Sequence, residues 1–219
     1  MEIVRLSALG GLLGLDATGV GQFMVSRPLV AGTLTGWMLG DPSLGITIGV
    51  VLELYLLVSF PTGGARFPEG ATATVVAVGC AMPYGGAGVV PLAVAVGLIW
   101  GQIGGATITM QRHLNSRLVP EPGGTRSRPR AVATAHIAAI TIDFLRAVAV
   151  TFTGVVAGRA VLGILVEDWP LSIPESTGLL LVGGAVSVGI LLRDLGGFRR
   201  RGVWFATGLA LGVVGARFL

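Results

Sequence analysis

Residues 71–111 read ATATVVAVGCAMPYGGAGVVPLAVAVGLIWGQIGGATITMQ, and this stretch contains no charged side chain. A helix that spans a bilayer needs about 20 predominantly apolar residues, so the stretch has room for two passes. The sequence PYGG at positions 83–86 predicts the break between them, because proline and glycine interrupt helices. The stretch therefore predicts helices that are embedded in a membrane.

The composition of the whole chain agrees with that prediction. Of its 219 residues, 53% are hydrophobic and only 12% are charged, whereas soluble domains carry about 25% charged residues. The net charge is +4 and every basic residue is arginine, but the charge-free runs leave no solvated face for nucleic acid. The single Cys80 has no partner for a disulfide or a metal site. These features exclude a soluble enzyme and a disulfide scaffold, and they predict an all-α, polytopic integral membrane protein.

Several of the other apolar runs are too short to cross a bilayer of about 30 Å as straight helices. The runs 29–40 and 45–60 are separated by an Asp-Pro pair at positions 41–42. Short apolar segments interrupted by glycine and proline are typical of re-entrant hairpins in transporters, so we predict one over residues 29–60. The remaining runs predict a retained first span over 6–25, two passes or one long tilted helix over 131–166, and further spans over 179–192 and 203–214.

The distribution of arginine predicts the orientation, because cytoplasmic loops carry an excess of positive charge. Residues 111–130 are rich in arginine, proline and glycine, and we expect them to form a cytoplasmic linker between two helical halves of one membrane-embedded domain, residues 1–219. A second arginine cluster over 193–201 is assigned to the same side, and an acidic turn over 167–175 to the outer side. An even number of crossings must therefore separate the two arginine clusters.

Three carboxylates interrupt the apolar runs: Asp16, Glu53 and Asp143. A charged residue at the centre of a membrane helix costs roughly 2.5–3.5 kcal/mol, so such residues face protein or a wet cavity. Asp143 has Arg146 three residues later on the same helical face, which predicts a structural ion pair. Glu53 has no nearby basic residue in the sequence, which favours a functional role with a remote partner or a ligand.

A set of polar side chains surrounds the predicted hairpin. Arginine donates up to five hydrogen bonds, glutamine both donates and accepts, and a carboxylate accepts at two oxygens. Such a set can bind a polyhydroxylated solute, although any polar transporter cavity would look alike. Its members are Asp16, Gln22, Arg27, Glu53 and, from a following loop, Glu69.

Glycines spaced four residues apart, as at Gly32 and Gly36 or at Gly97 and Gly101, predict close helix packing. The two histidines, His113 and His136, flank the linker. The simplest interpretation places the first at the membrane interface and the second at a helix start, and a phosphoryl-accepting role is disfavoured.

The segment from Asp16 to Leu54 resembles the IIC component of the mannose–fructose–sorbose family of bacterial phosphotransferase systems. The resemblance covers nearly the whole chain and is strongest over residues 16–70. Its motifs are Gly21-Gln22-Phe23, Ser26-Arg27-Pro28-Leu29, Leu39-Gly40-Asp41, Leu52-Glu53-Leu54, the loop Gly63-Gly64-Ala65 to Pro68-Glu69, Gly101-Gln102-Ile103-Gly104, Arg112-His113-Leu114-Asn115 and Phe144-Leu145-Arg146.

The resemblance implies a sugar permease subunit of the bacterial inner membrane, with elevator-like transport by re-entrant hairpins. It implies pairing with a IID subunit, as a trimer of such pairs, and cytoplasmic IIA and IIB phosphocarriers that release the sugar as its phosphate. It implies no cofactor, no metal and no phosphorylated residue in the chain itself. Carried onto this sequence, the implied sugar-binding residues are Gln22, Arg27, Glu53 and Glu69, with Asp16 behind them.

Two departures from the family pattern keep other interpretations open. Glu69 stands where the family mostly has aspartate, and the chain is shorter than most members. A reduced, non-transporting membrane subunit that docks or senses IIA- and IIB-type proteins through the arginine-rich loops is one alternative. An independent carrier of small solutes is another.

Overall fold

The structure, a computed structural model, describes residues 1–57, 59, 65–118, 129–194, 196 and 198–215. Over these residues the chain forms eight α-helices and no strand, as predicted from its composition. They are α1 (Glu2–Thr18), α2 (Pro28–Leu39), α3 (Pro42–Tyr55), α4 (Gly70–Ala81), α5 (Val89–Leu118), α6 (Pro129–Leu165), α7 (Ile173–Asp194) and α8 (Phe198–Gly215).

The sequence between Pro28 and Tyr55 folds as a tight pair of antiparallel helices, α2 and α3. Each helix has a proline at its start, where the missing N–H is not needed. Helix α2 ends at Gly40, which has a left-handed φ of 92° that glycine adopts without steric cost. The Asp41 carboxylate then accepts a hydrogen bond from the Leu44 N–H at 2.9 Å and caps α3.

A helical hairpin is present over Pro28–Tyr55, close to the predicted bounds 29–60, and its re-entrant position in the membrane stays a prediction. Helices α2 and α3 contain 12 and 14 residues, which at 1.5 Å per residue gives lengths of about 18 and 21 Å. Neither helix is long enough to cross the hydrocarbon core of a bilayer, which is about 30 Å thick. Glycines let the two backbones touch, since a Cβ at Gly36 would lie 2.8 Å from the Gly45 Cα. The predicted packing role of Gly36 is therefore confirmed.

Helix α4 lies at the centre of the molecule. Every residue from Ala71 to Ala81 is buried, and α4 packs against α1, α2, α3, α5 and α6. The break predicted within residues 71–111 is confirmed between Ala81 and Val89, but the prediction of two full passes is wrong. With 12 residues, α4 is about 18 Å long, and it runs through protein instead of along lipid.

Three of the described helices, α5, α6 and α7, are long and apolar enough to cross a membrane. The structure decides between the alternatives for residues 131–166, because α6 is one helix of 37 residues. The first run is shorter than predicted over 6–25, since α1 ends at Thr18. Helices α6 and α7 are each long and apolar enough for one pass, which is compatible with the even number of crossings expected between the arginine clusters; the orientation itself stays a prediction.

The linker predicted over residues 111–130 is helical at both ends. Helix α5 continues to Leu118, α6 begins at Pro129, and residues 119–128 lie outside the described residues. Its cytoplasmic position stays a prediction.

Candidate functional site

The α2–α3 hairpin brings the start of α2 next to the last turns of α3. The Arg27 guanidinium, just before α2, donates to the Glu53 carboxylate from Nη2 to Oε1. The other oxygen, Oε2, accepts a hydrogen bond from the Leu29 N–H at 3.3 Å, so the carboxylate also faces the positive end of α2. The remote partner expected for Glu53 is therefore Arg27, which the hairpin turn brings across 26 positions of sequence.

This ion pair lines a cavity of about 120 Å³, which we call the hairpin cavity. The Arg27 side chain is 41% exposed and the Glu53 side chain 18% exposed, so both remain accessible to a small solute. Its other lining residues are mostly apolar or small: Ala17, Ser26, Pro28, Leu56, Ser59, Phe67, Pro68, Gly70 and Ala71. A charged pair within an apolar wall is typical of a site that orients a small polar ligand.

Asp16 organises the loop between α1 and α2. Its carboxylate accepts hydrogen bonds from the Phe23 N–H at 2.7 Å and the Ser26 N–H at 3.0 Å. Two non-glycine residues of this loop, Gln22 and Met24, have positive φ angles of 55° and 65°, a conformation that costs energy and clusters at functional sites. Asp16 thus positions the backbone that leads into Arg27.

Gln22 is not among the residues that line the hairpin cavity. Its side chain is exposed, and it makes no side-chain hydrogen bond to any residue that the structure describes. Its proposed contact with sugar therefore rests on the sequence pattern and the family resemblance.

We expect the Asp16→Ala substitution to loosen the loop between α1 and α2. Hydrogen bonds to a charged group contribute about 1.5–3 kcal/mol each, so opening of the loop should become at least about tenfold more frequent. Phe23 is 81% exposed, and cleavage after it by chymotrypsin measures the opening. The matched control is Asp41→Ala, which removes a carboxylate that caps α3. Equal cleavage rates at Phe23 in the Asp16 variant and the wild type would contradict the role of Asp16.

Glu69 and Arg146 form a buried ion pair close to the hairpin cavity. The guanidinium donates from Nη1 to Oε2 and from Nη2 to Oε1 of the carboxylate, both at 2.9 Å. The Glu69 side chain is 0% exposed and the Arg146 side chain 9% exposed. Thr72 also donates its hydroxyl to Glu69 Oε2 at 2.9 Å. Both carboxylate oxygens of Glu69 therefore already have donors.

The same guanidinium binds the second acidic residue of α6. Arg146 Nε donates to Asp143 Oδ1 at 2.9 Å, and Nη1 also lies 3.1 Å from the Thr107 hydroxyl. The Thr18 hydroxyl donates to Asp143 Oδ2. One guanidinium is thus shared by two carboxylates, and this buried network joins α1, α5, α6 and the start of α4.

Glycines make room for the network. A Cβ at Gly104 would lie 2.5 Å from Glu69 Oε2, and a Cβ at Gly14 would lie 3.3 Å from Glu69 Oε1. The Glu69 N–H donates to the Gly101 carbonyl at 2.9 Å, which fixes the chain before α4 against α5. Thr18, Thr72 and Thr107 were not predicted from the sequence, because single threonines in apolar runs carry no distinguishing pattern.

A family model described as the PTS system sorbose-specific IIC component (EII-Sor) matches residues 1–211. The chain belongs to this family. It is 26% identical over 207 residues to the sorbose-specific EIIC component of Klebsiella pneumoniae, covering 90% of this chain and 76% of that protein. It is 28% identical over 200 residues to the mannose-specific EIIC component of Escherichia coli strain K12, covering 86% of this chain and 72% of that protein. The resemblance predicted from the sequence is therefore confirmed.

The fold of this IIC component is also similar to that of a solved transporter. The cryoEM structure of the mannose transporter ManYZ with microcin E492 (MceA) matches 99% of this chain and 92% of that chain, with a TM-score of 0.54 and 22% identity. At that identity the likeness concerns the fold alone. Family membership and the long apolar helices together identify the chain as a multi-pass membrane protein.

Proposed function

We propose that this IIC component carries a hexose or a related sugar across the bacterial inner membrane. The observation that carries the proposal is the Arg27–Glu53 pair, which lines the hairpin cavity at the start of α2. A guanidinium donates to sugar hydroxyl oxygens and a carboxylate accepts from sugar hydroxyls, so a bound sugar can replace the contacts that the pair makes with itself. Family membership supports the same substrate class.

The position of the pair suits a transport site. Glu53 and Arg27 lie on a hairpin whose helices are too short to span a bilayer, and charged residues at membrane depth mark substrate pathways. Asp16 holds the backbone before Arg27, and Gln22 lies in the same loop. We assign Arg27 and Glu53 to direct contact with sugar, and Asp16 to positioning. Glu69 has a supporting role through Arg146.

We further propose that the subunit works with a IID membrane subunit and with IIA and IIB phosphocarriers, as a trimer of IIC–IID pairs. Its similarity to the mannose-specific EIIC component and to the fold of ManYZ supports a shared complex. The exposed apolar side chains of α7, such as Leu181 and Val182, offer surface for lipid or a membrane subunit. Residues 1–219 would form one permease domain, with residues 111–130 as the cytoplasmic linker.

We expect the Glu53→Gln substitution to lower sugar uptake by roughly tenfold or more. The neutral amide loses a charged acceptor, and hydrogen bonds to charged groups contribute about 1.5–3 kcal/mol. The measurement is uptake of labelled mannose, fructose and sorbose by cells that carry the complete transport system.

The matched control for this experiment is Glu2→Gln. Glu2 pairs with Arg159, and its side chain is 51% exposed, so the same chemical change there should leave uptake near the wild-type rate. Undiminished uptake in Glu53→Gln, at equal amounts of protein in the membrane, would refute the site assignment.

A further inference from the structure

A second polar cavity, of about 210 Å³, lies between the end of α1, the last turns of α5 and the first half of α6. We call it the linker-side cavity, because α5 and α6 lead from it toward residues 119–128. It has no lining residue in common with the hairpin cavity. Its polar lining residues are Thr18, Gln111, Arg112, Asn115, His136 and Asp143.

Two buried amide oxygens at this cavity lack donors. Gln111 is only 6% exposed, and its amide nitrogen lies 3.3 Å from the Ala139 carbonyl. A carbonyl only accepts, so this contact fixes the amide orientation and directs Oε1 elsewhere. Gln111 Oε1 and Asn115 Oδ1 are both buried without a hydrogen-bond partner among the described residues. Buried polar atoms are nearly always paired, so these oxygens call for a donor that enters the cavity.

The charges at the cavity define what can enter. Arg146, which binds Asp143, also binds Glu69, so the two carboxylates carry one more negative charge than this guanidinium neutralises, which disfavours phosphate and other anions. Arg112 lines the same cavity as a cation, which disfavours a metal ion or an organic cation. A neutral molecule with several hydroxyl groups avoids both kinds of charge repulsion. Each of its hydroxyls can donate to the amide and carboxylate oxygens and accept from Arg112.

The size of the cavity agrees with such a ligand. A site for one water needs about 10–15 Å³, and the linker-side cavity has about 210 Å³. A compact, monosaccharide-sized molecule is the class that combines this volume with hydroxyl donors.

We propose that the linker-side cavity is a second binding position for the transported sugar, separated from the hairpin cavity by the Glu69–Arg146 network. The inference rests on the proposed function. The residues on either side of Glu69, Pro68 and Gly70, line the hairpin cavity, whereas Asp143 lines the linker-side cavity. The network and the segment 67–69 thus form the wall between the two positions.

Arg112 contacts this wall directly. Its guanidinium donates to the Ala65 carbonyl at 3.4 Å and lies 5.6 Å from the centre of the Phe67 ring. Phe67 lines the hairpin cavity and Arg112 the linker-side cavity. A sugar that passes between the two cavities would therefore displace the segment that Arg112 and Arg146 hold.

Thiol labelling tests the two positions separately. The only cysteine of the chain, Cys80, is buried, so introduced cysteines report their own surroundings. Ala139→Cys places a thiol in the linker-side cavity, Ser26→Cys in the hairpin cavity, and Ala133→Cys on an exposed position of α6 as the control. Each full-length variant, co-expressed with its IID subunit in membrane vesicles, is labelled with N-ethylmaleimide with and without mannose, fructose or sorbose.

We expect one of these sugars to slow labelling at both Ala139→Cys and Ser26→Cys, by about elevenfold at a concentration of ten times Kd. Labelling of Ala133→Cys should not change, and sucrose should protect neither cavity. Adding Gln111→Met should weaken binding in the linker-side cavity by roughly tenfold. At the same sugar concentration, protection at Ala139→Cys should then fall from about elevenfold to about twofold, while protection at Ser26→Cys stays intact. Asn115→Leu serves as a second variant with the same expected result.

The outcomes separate this inference from the proposed function. Protection at Ser26→Cys alone overturns the second position, which then holds only water, and leaves the proposed function standing. Protection at neither cysteine overturns both. Protection at Ala139→Cys that persists in Gln111→Met and Asn115→Leu, or that extends to Ala133→Cys, overturns the assignment of the unpaired amide oxygens.

Discussion

The Arg146→Leu substitution should remove most of the folded IIC component from the membrane. Leucine would leave the Glu69 and Asp143 carboxylates buried without the guanidinium that both now share. Removing one partner of a buried ion pair costs about 3–5 kcal/mol, which is a large share of the about 5–15 kcal/mol by which native proteins are stable. The loss is measured as the yield of monodisperse protein in detergent and as its midpoint of thermal unfolding.

Arg159→Leu is the matched control, because Arg159 lies on the same helix and pairs with Glu2 at a more exposed position. The Arg159 side chain is 24% exposed and also donates from Nε to the Gly79 carbonyl at 3.0 Å. The ion pair contributes about 0–1 kcal/mol and the hydrogen bond about 0.5–1.5 kcal/mol, so this variant should lose clearly less yield than Arg146→Leu. The triple variant Arg146→Leu, Glu69→Gln, Asp143→Asn removes the uncompensated charge and should regain part of the lost yield. Equal recovery of Arg146→Leu and Arg159→Leu would contradict the structural importance of the network.

Local sequence patterns were sufficient to predict parts of this fold. The α2–α3 hairpin follows from two short apolar runs with prolines at their starts and a Gly-Asp turn between them. The contact between Asp143 and Arg146 follows from their i, i+3 spacing on one helix. In each case the physical cause acts within one or two turns of the chain, which is the range that a sequence pattern records.

The partner of Glu69 lay beyond that range. Arg146 is 77 positions away in the sequence, and only the packing of α6 against α1, α4 and α5 brings the two together. From the sequence, Glu69 looked like a free acceptor in a loop. In the structure Glu69 is only 1% exposed, and its carboxylate accepts two hydrogen bonds from the Arg146 guanidinium, so it is a paired, buried group. No spacing rule distinguishes a loop carboxylate that will be buried from one that will remain open.

The length of α4 was mispredicted for a related reason. Hydropathy measures how apolar a segment is, but it does not distinguish lipid from protein as the surroundings. The mostly apolar residues of α4 are buried by other helices. Hydropathy therefore predicted correctly that α4 is buried, but it did not predict that protein, and not lipid, surrounds this helix.

We expect the Gly45→Leu substitution to prevent the α2–α3 hairpin from closing and to abolish sugar uptake. A Cβ at Gly45 would lie 2.8 Å from the Gly36 Cα and 3.0 Å from the Gly36 nitrogen. These are backbone atoms, so no side-chain rotation relieves the clash, and the helices must separate. Separation would move Glu53 away from Arg27. The measurements are uptake and thermal unfolding.

Gly189→Leu provides the matched control, since a Cβ at Gly189 on α7 meets no atom within 4 Å among the described residues. The same change in side-chain volume should leave the thermal midpoint near the wild-type value, because leucine also favours helix over glycine. Gly45→Ala tests the mechanism further, because a single methyl group already meets the Gly36 backbone. If backbone contact is the cause, Gly45→Ala should lower uptake and the midpoint of thermal unfolding nearly as much as Gly45→Leu. Normal uptake in Gly45→Ala would mean that the hairpin can function with its helices apart.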